Sequence, residues 1–452
     1  MKINKTPIIS LIIFLSLSIP FIKSIPYLDG NIDFVKAHDF FVGGFGRLFG
    51  NWLSTHPPVK EMITFIFFIL GGVNPIAYNL VGILFGLFGI IVFYKLCKRL
   101  TNNSVATIAV LLFCTSPLFL SVGLFSLTDY LLEIFILASL YFYSKHKYYF
   151  YFLFSSLALL TKETGGVLII SISIIEVLWV TKNIINKNIN FKKSIKAILI
   201  ALSPLITTAV WFWFLKINRK SFWSDWNFSE TSDKGTIYTI LNNIFSLKMF
   251  NKYAYQNWLQ LFILNFNWVF WIIAILGVIK GKINLIKNKT LLSMFLFFFI
   301  YIISVLSFQT YTIPRYALPL EPYFYLAVAY GSYKISEKSK LLKLFIGIFL
   351  IGITTFRLLT SADPISIRIW GKTNILGQNV YALNQGLSLS GFDGITYNLQ
   401  YNLIAKKRTE IIFDKKINTD GCSWVFPDPN NDFKTIDILN LKNENPNFIC
   451  FP

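Results

Sequence analysis

Apolar residues fall in long runs separated by short polar loops. The first run, Pro7 to Ile25, follows the basic segment Met1–Lys5. No small-x-small cleavage site comes after it, so it reads as an uncleaved span. Residues 26–58 are polar. Val59 to Gly72 is apolar again but falls short of the ~20 residues that cross a bilayer, which predicts an interfacial or re-entrant helix. Full spans are predicted at 75–95, 103–122, 127–144, 149–161, 165–182, 195–215, 257–279, 290–308, 316–332 and 341–360, about eleven with the first. Beyond residue 361 the chain turns polar, rich in Asn and mixed in charge. Short runs at 395–404, 409–414, 422–427 and 433–440 carry strand-like content. The expected organisation is a membrane domain over 1–360, whose first outer loop is 26–72, and a small α/β or β domain over 361–452.

Composition agrees with that pattern. Of 452 residues, 54% are hydrophobic and 14% charged, against about 25% charged in a soluble domain. The class is an all-α polytopic membrane protein. A net charge of +20 suggests nucleic acid until its placement is considered. With the N-terminus inside, every second loop is basic: Lys95, Lys98 and Arg99; Lys145 and Lys147; Lys182 to Lys196; Lys280 to Lys289; Lys334 to Lys343. That is the positive-inside pattern of a polytopic membrane protein, and the expected location is the cytoplasmic membrane of a prokaryote. The outer loop 216–256 is also basic, an exception that suits an anionic lipid head group. Among the cysteines, Cys97 and Cys114 fall at or inside spans. Cys422 and Cys450 lie in the tail, either bridged there or free. No Cys/His spacing suggests zinc.

The informative ionisable groups collect on the outer side. Asp29 and Asp33 follow the first span, and His56-Pro57-Pro58 ends the first loop. Asp129 opens the fourth span. Lys162-Glu163 sits between the fifth and sixth, and Arg315-Tyr316 opens the tenth. Charges at membrane depth are costly, so their convergence on one face marks candidate chemistry. Each also has a plainer reading. Asp29 suits a solvated turn in Asp29-Gly30-Asn31, and Asp33 a solvated helix face. Lys162 and Glu163 could pair with each other or snorkel, and Arg315 could be an interface anchor. His38 and His146 receive no role. Glu133 and Glu176 lie within spans without an evident partner.

These motifs, in this order, resemble those of the membrane-embedded GT-C glycosyltransferases of the protein-mannosyltransferase and aminoarabinose-transferase type. The match runs over roughly residues 1–335. Its parts are Asp29, His56-Pro57-Pro58, Asp129, Thr161-Lys162-Glu163-Thr164-Gly165, and Arg315-Tyr316 with Pro319. Where the family has Asp-Glu, this chain has Asp29-Gly30, which leaves Asp33 as a rival acid. Asp29 stands 27 residues before His56 and Asp33 stands 23, and the longer interval suits the family better. The resemblance implies the GT-C fold and inverting transfer of a sugar from a polyprenyl-phosphate donor to a lipid, glycan or protein acceptor outside the cytoplasm. It implies Asp29 or Asp33 as the catalytic base, with His56, Asp129, Lys162, Glu163, Arg315 and Tyr316 binding donor phosphate or substrate. It calls for no cofactor and no required metal. The competing expectation is a transporter or flippase of a lipid-linked saccharide, which favours repeated halves and mid-membrane charges.

Overall fold

A computed structural model of the chain describes residues 6–23, 33–34, 36–38, 40–44, 57–124, 128–186, 191–219, 242–247, 266–281, 288–308, 314–360, 422–424 and 448–450. Helix α1 (Thr6–Ser18) ends in a 3-10 turn, Ile19–Phe21. Helix α2 (Val59–Gly71) starts after Pro57-Pro58 and stops at Gly72, whose φ of 76° suits a residue without a side chain. Asn74 then caps α3 (Pro75–Leu100), its Oδ1 accepting from the Ala77 amide at 2.9 Å. Pro75 occupies the first turn, where a missing N–H costs nothing. Asn102 caps α4 (Asn103–Cys114) in the same way.

Prolines decide where predicted spans break. The run expected as one span over 103–122 is two helices, α4 and α5 (Pro117–Leu124). Pro117 cannot donate to the ladder and disfavours helix at Ser116. Pro204 likewise separates α9 (Phe191–Leu202) from α10 (Leu205–Arg219) within the run predicted at 195–215. The expected span over 316–332 starts as a 3-10 turn, Pro314–Leu320, before α13 (Glu321–Ser336). The remaining helices are α6 (Thr128–Ser144), α7 (Tyr148–Leu159), α8 (Gly166–Ile185), α11 (Trp268–Gly281), α12 (Lys289–Phe308) and α14 (Lys340–Thr360). Among the described residues, three stretches are long and apolar enough to cross a membrane: Pro75–Leu100, Glu163–Ile185 and Ser194–Trp211. The other apolar helices are shorter, and the expected count of eleven is not reached by these three.

Helix α6 is the central element. Asp129 through Tyr141 are all buried, and α6 packs on α3, α7 and the Pro314–Leu320 turn. Helix α13 packs against α4 and α11, and α12 packs against α8. The α11–α13 crossing needs glycine on both sides. A Cβ at Gly277 would come within 1.9 Å of the Gly331 Cα, and one at Gly331 within 2.2 Å of the Ile273 carbonyl oxygen. Small residues allow this approach where no hydrophobic force draws apolar helices together.

In the tail, two short strands are described. β1 (Cys422–Trp424) pairs antiparallel with β2 (Phe448–Cys450), and the register sets Cys422 opposite Cys450. Most of the domain expected over 361–452 lies outside the described residues.

Candidate active site

One end of the bundle gathers acids and bases in matched pairs. The α6 N-terminus lies at their centre. Asp129, in its first turn, accepts from Lys162 Nζ at 2.6 Å. Its neighbour Thr128 donates to Asp33 Oδ2 at 3.4 Å, and the same Asp33 oxygen pairs with Lys60 Nζ. Lys60 also donates to the Tyr78 hydroxyl at 3.0 Å. Two ion pairs, Asp33–Lys60 and Asp129–Lys162, therefore meet across two adjacent residues of α6. All four side chains are nearly buried.

Local structure explains each placement. Lys162 follows the end of α7, where Thr161 and Lys162 both donate backbone N–H groups to the Ala158 carbonyl. The chain then turns into the 3-10 segment Glu163–Gly165 and enters α8. Gly165 lies directly on the α7 backbone, and a Cβ there would come within 2.8 Å of the Ala158 carbonyl carbon and oxygen. The spacing in Thr161-Lys162-Glu163-Thr164-Gly165 thus has a steric cause. It folds the chain tightly enough to aim Lys162 inward. The ammonium lies 4.3 Å from the centre of the Tyr316 ring, a cation–π contact. Lys60 is set by α2, whose first amide, Val59 N–H, donates to the Leu160 carbonyl at 3.2 Å and ties α2 to the Lys162 turn. Phe34 packs edge-on against Phe68 and Tyr78 and holds Asp33 over α2 and α3.

Helix α2 spans ~20 Å at 1.5 Å per residue, less than the ~30 Å hydrocarbon core, and is not among the stretches long and apolar enough to cross a membrane. Burial pulls the Lys60 ammonium below its usual pKa, against the pull of Asp33. Burial, reinforced by the Asp33 charge, pushes the Glu61 carboxyl from 4.5 up to about 7. Glu61 Oε2 is buried without a hydrogen-bond partner among the described residues. Further into the bundle, Glu321 accepts from the Ser116 hydroxyl at 2.7 Å and from Tyr325 at 3.3 Å. Glu133, one turn along α6 from Asp129, is buried with neither carboxylate oxygen hydrogen-bonded among the described residues.

Residues 55–228 match the model of the dolichyl-phosphate-mannose-protein mannosyltransferase family. The crystal structure of ArnT from Cupriavidus metallidurans bound to undecaprenyl phosphate is similar at 13% identity. The alignment covers 91% of this chain and 81% of ArnT, with a TM-score of 0.54. The chain has the GT-C glycosyltransferase fold. The apo form of ArnT gives a TM-score of 0.53 at 13% identity, covering 89% of this chain and 72% of that one. No curated protein matches the chain in sequence.

Within this GT-C fold, the residues expected to act together are only partly in view. Asp33, Asp129, Lys162 and Tyr316 are brought together. Glu163 follows Lys162 but is exposed. The plainer reading, in which Lys162 pairs with Glu163, gives way to Lys162–Asp129, because the turn buries Lys162 beside α6. Asp33 is buried in an ion pair rather than solvated on a helix face. Asp29 and His56 lie outside the described residues. Arg315 is described by its backbone alone, one residue before Tyr316 in the 3-10 turn. Sequence reading missed Lys60 and Glu61. Two charges in the first turn of an otherwise apolar helix were the available signal. Glu176, read as unpartnered, receives Tyr143 and, at 2.7 Å, Lys289. No group of three metal-ligating side chains occurs among the described residues.

Proposed function

We propose that the protein is an inverting glycosyltransferase, moving a sugar from a polyprenyl-phosphate carrier to an acceptor on the outer side of the membrane. The observation that carries this is the meeting of Asp33–Lys60 and Asp129–Lys162 at one buried end of a GT-C fold. In a single displacement, the acceptor oxygen forms a bond to the anomeric carbon as the bond to the lipid phosphate breaks. The acceptor proton passes to a carboxylate, and the bonding pair leaves with the phosphate. Charge grows on that phosphate, so donors fixed beforehand in a dry pocket stabilise the transition state. Lys162, held over Tyr316 and beside Asp129, suits that task; Lys60 is the second buried ammonium of this end, and Arg315 is assigned to the same phosphate. The undecaprenyl phosphate bound by ArnT is a ligand of the same chemistry.

Asp33 is a poor proton acceptor, because Lys60 neutralises it. The base is therefore assigned to Asp29, with Asp33 positioning Lys60. His56, Asp129, Glu163 and Tyr316 are assigned to donor or substrate binding. With ammonium groups supplying positive charge at the leaving phosphate, transfer requires no divalent metal. Membranes carrying Asp29→Asn, supplied with polyprenyl-phosphate sugar, should insert the protein normally and transfer no sugar. Near-normal turnover would move the base to Asp33.

A further inference from the structure

At the end opposite this site lies a cavity of about 940 Å³ between α3, the α6–α7 turn, α8, α9 and the start of α12. Arg99 and Tyr78 are both on α3, about 30 Å apart at 1.5 Å per residue, so the cavity and the candidate active site face opposite membrane surfaces. We propose that this cavity binds the phosphate head group of an anionic phospholipid from the cytosolic leaflet. It stands whichever reaction the other end performs.

Charge, shape and surroundings support this occupant. Arg99, Lys196 and Lys289 line the cavity against the single carboxylate of Glu176, an excess of two positive charges. The lining is pre-organised. Arg99 is fixed by donating Nε–H, at 2.9 Å, and an Nη2–H to the Ser144 carbonyl. Lys289 is held at 2.7 Å by Glu176 and stands 5.2 Å from the Trp179 ring centre. Lys196 is exposed on α9. A free phosphate ion would need only this charge, but the site has an apolar side as well. Val180 and Ile200 line the cavity, and Leu178 and Leu199 on the same helices are exposed at 56% and 62%. Acyl chains can lie along those outer faces while the phosphate enters between the helices. The surrounding loops are the basic ones, which places this end in the cytosol. Basic pockets between helices on that side suit anionic head groups.

The test uses the full-length protein purified in neutral detergent, titrated with phosphatidylglycerol, phosphatidylcholine or inorganic phosphate and followed by thermal melting. Phosphatidylglycerol should half-saturate at a concentration about fivefold or more below that of phosphatidylcholine, the factor that ~1 kcal/mol per surface lysine gives. Lys196→Glu, an exposed and therefore mild change, should bring the two lipids level while leaving transfer activity as it was. Lys196→Gln should fall between. Equal response to the two lipids in the unaltered protein, or a preference that survives Lys196→Glu, would overturn the proposal. A full response to inorganic phosphate alone would overturn it too, by making the cavity a site for the free ion.

Discussion

The two ends of the bundle handle charge in opposite ways. At the candidate active site, Lys60 and Lys162 are buried and each faces its own aspartate across one hydrogen bond. At the other end, Lys196 and Arg99 are exposed, Lys289 alone among the lining cations has a carboxylate partner among the described residues, and an open cavity lies between. Isolated ions in low dielectric are costly, and pairing removes most of that cost. The matched end therefore holds its cations in a dry place, each against an aspartate, and the proposed function would put the donor phosphate there. The other end leaves Arg99 and Lys196 exposed, where a charge keeps its hydration and costs little.

The strongest way to break this contrast is at Lys162. Lys162→Ala should lower sugar transfer by about a hundredfold to a thousandfold, the usual cost of removing one donor from developing charge. Lys196→Glu should leave transfer unchanged. Equal losses in the two variants, measured in the same membranes, would erase the distinction between the ends. The next effect is on stability. Lys60→Ala leaves Asp33 buried without its ammonium, and removing one partner of such a pair costs about 3–5 kcal/mol. Exposed Lys196→Ala should cost under about 0.5 kcal/mol. Melting of the two variants in one detergent compares them directly.

Glu61 sharpens the contrast through pH. Its folded pKa is raised, from 4.5 to about 7. The stabilisation it contributes is complete below its unfolded value and disappears as pH rises through the folded one. Relative to Glu61→Gln, the unaltered protein should lose about 3 kcal/mol of stability between about pH 4.5 and about pH 8. Parallel melting curves for the two proteins across that range would count against a buried carboxyl held above its ordinary pKa. Exposed Glu163, replaced by Gln, should show no such divergence. The smallest effect concerns the tail. Opposed residues of an antiparallel pair bring Cα atoms within disulfide reach. Intact-mass measurement without reductant should show Cys422 and Cys450 two hydrogens lighter as a pair, and unreacted thiols at both positions would exclude the bridge.

Much of the architecture is legible in the apolar pattern. The short apolar run after His56-Pro57-Pro58 forms a helix over Val59–Gly71, close to its predicted bounds. The alternation of spans and loops puts Asp129, Lys162 and Tyr316 at one end of the bundle, and there they meet. What stays hidden is pairing over distance. Asp33 and Lys60 are 27 residues apart, Asp129 and Lys162 33, and Glu176 and Lys289 113. No local periodicity encodes those contacts, because tertiary packing alone decides which face of each helix meets which neighbour. Helix breaks are a different case. Pro117 and Pro204 announce them in the sequence, but continuous hydrophobicity masks the signal when length is the only criterion.

The central claim is that the matched end grips the phosphate of a lipid-linked sugar. It is tested most directly by incubating the purified protein with polyprenyl-phosphate sugars and an acceptor extract, and measuring the free carrier lipid released. The expected result is release of carrier in step with sugar transfer by the unaltered protein, and release at background by Lys162→Ala. Undiminished release by the Lys162→Ala protein, or none from any donor by the unaltered one, would contradict it.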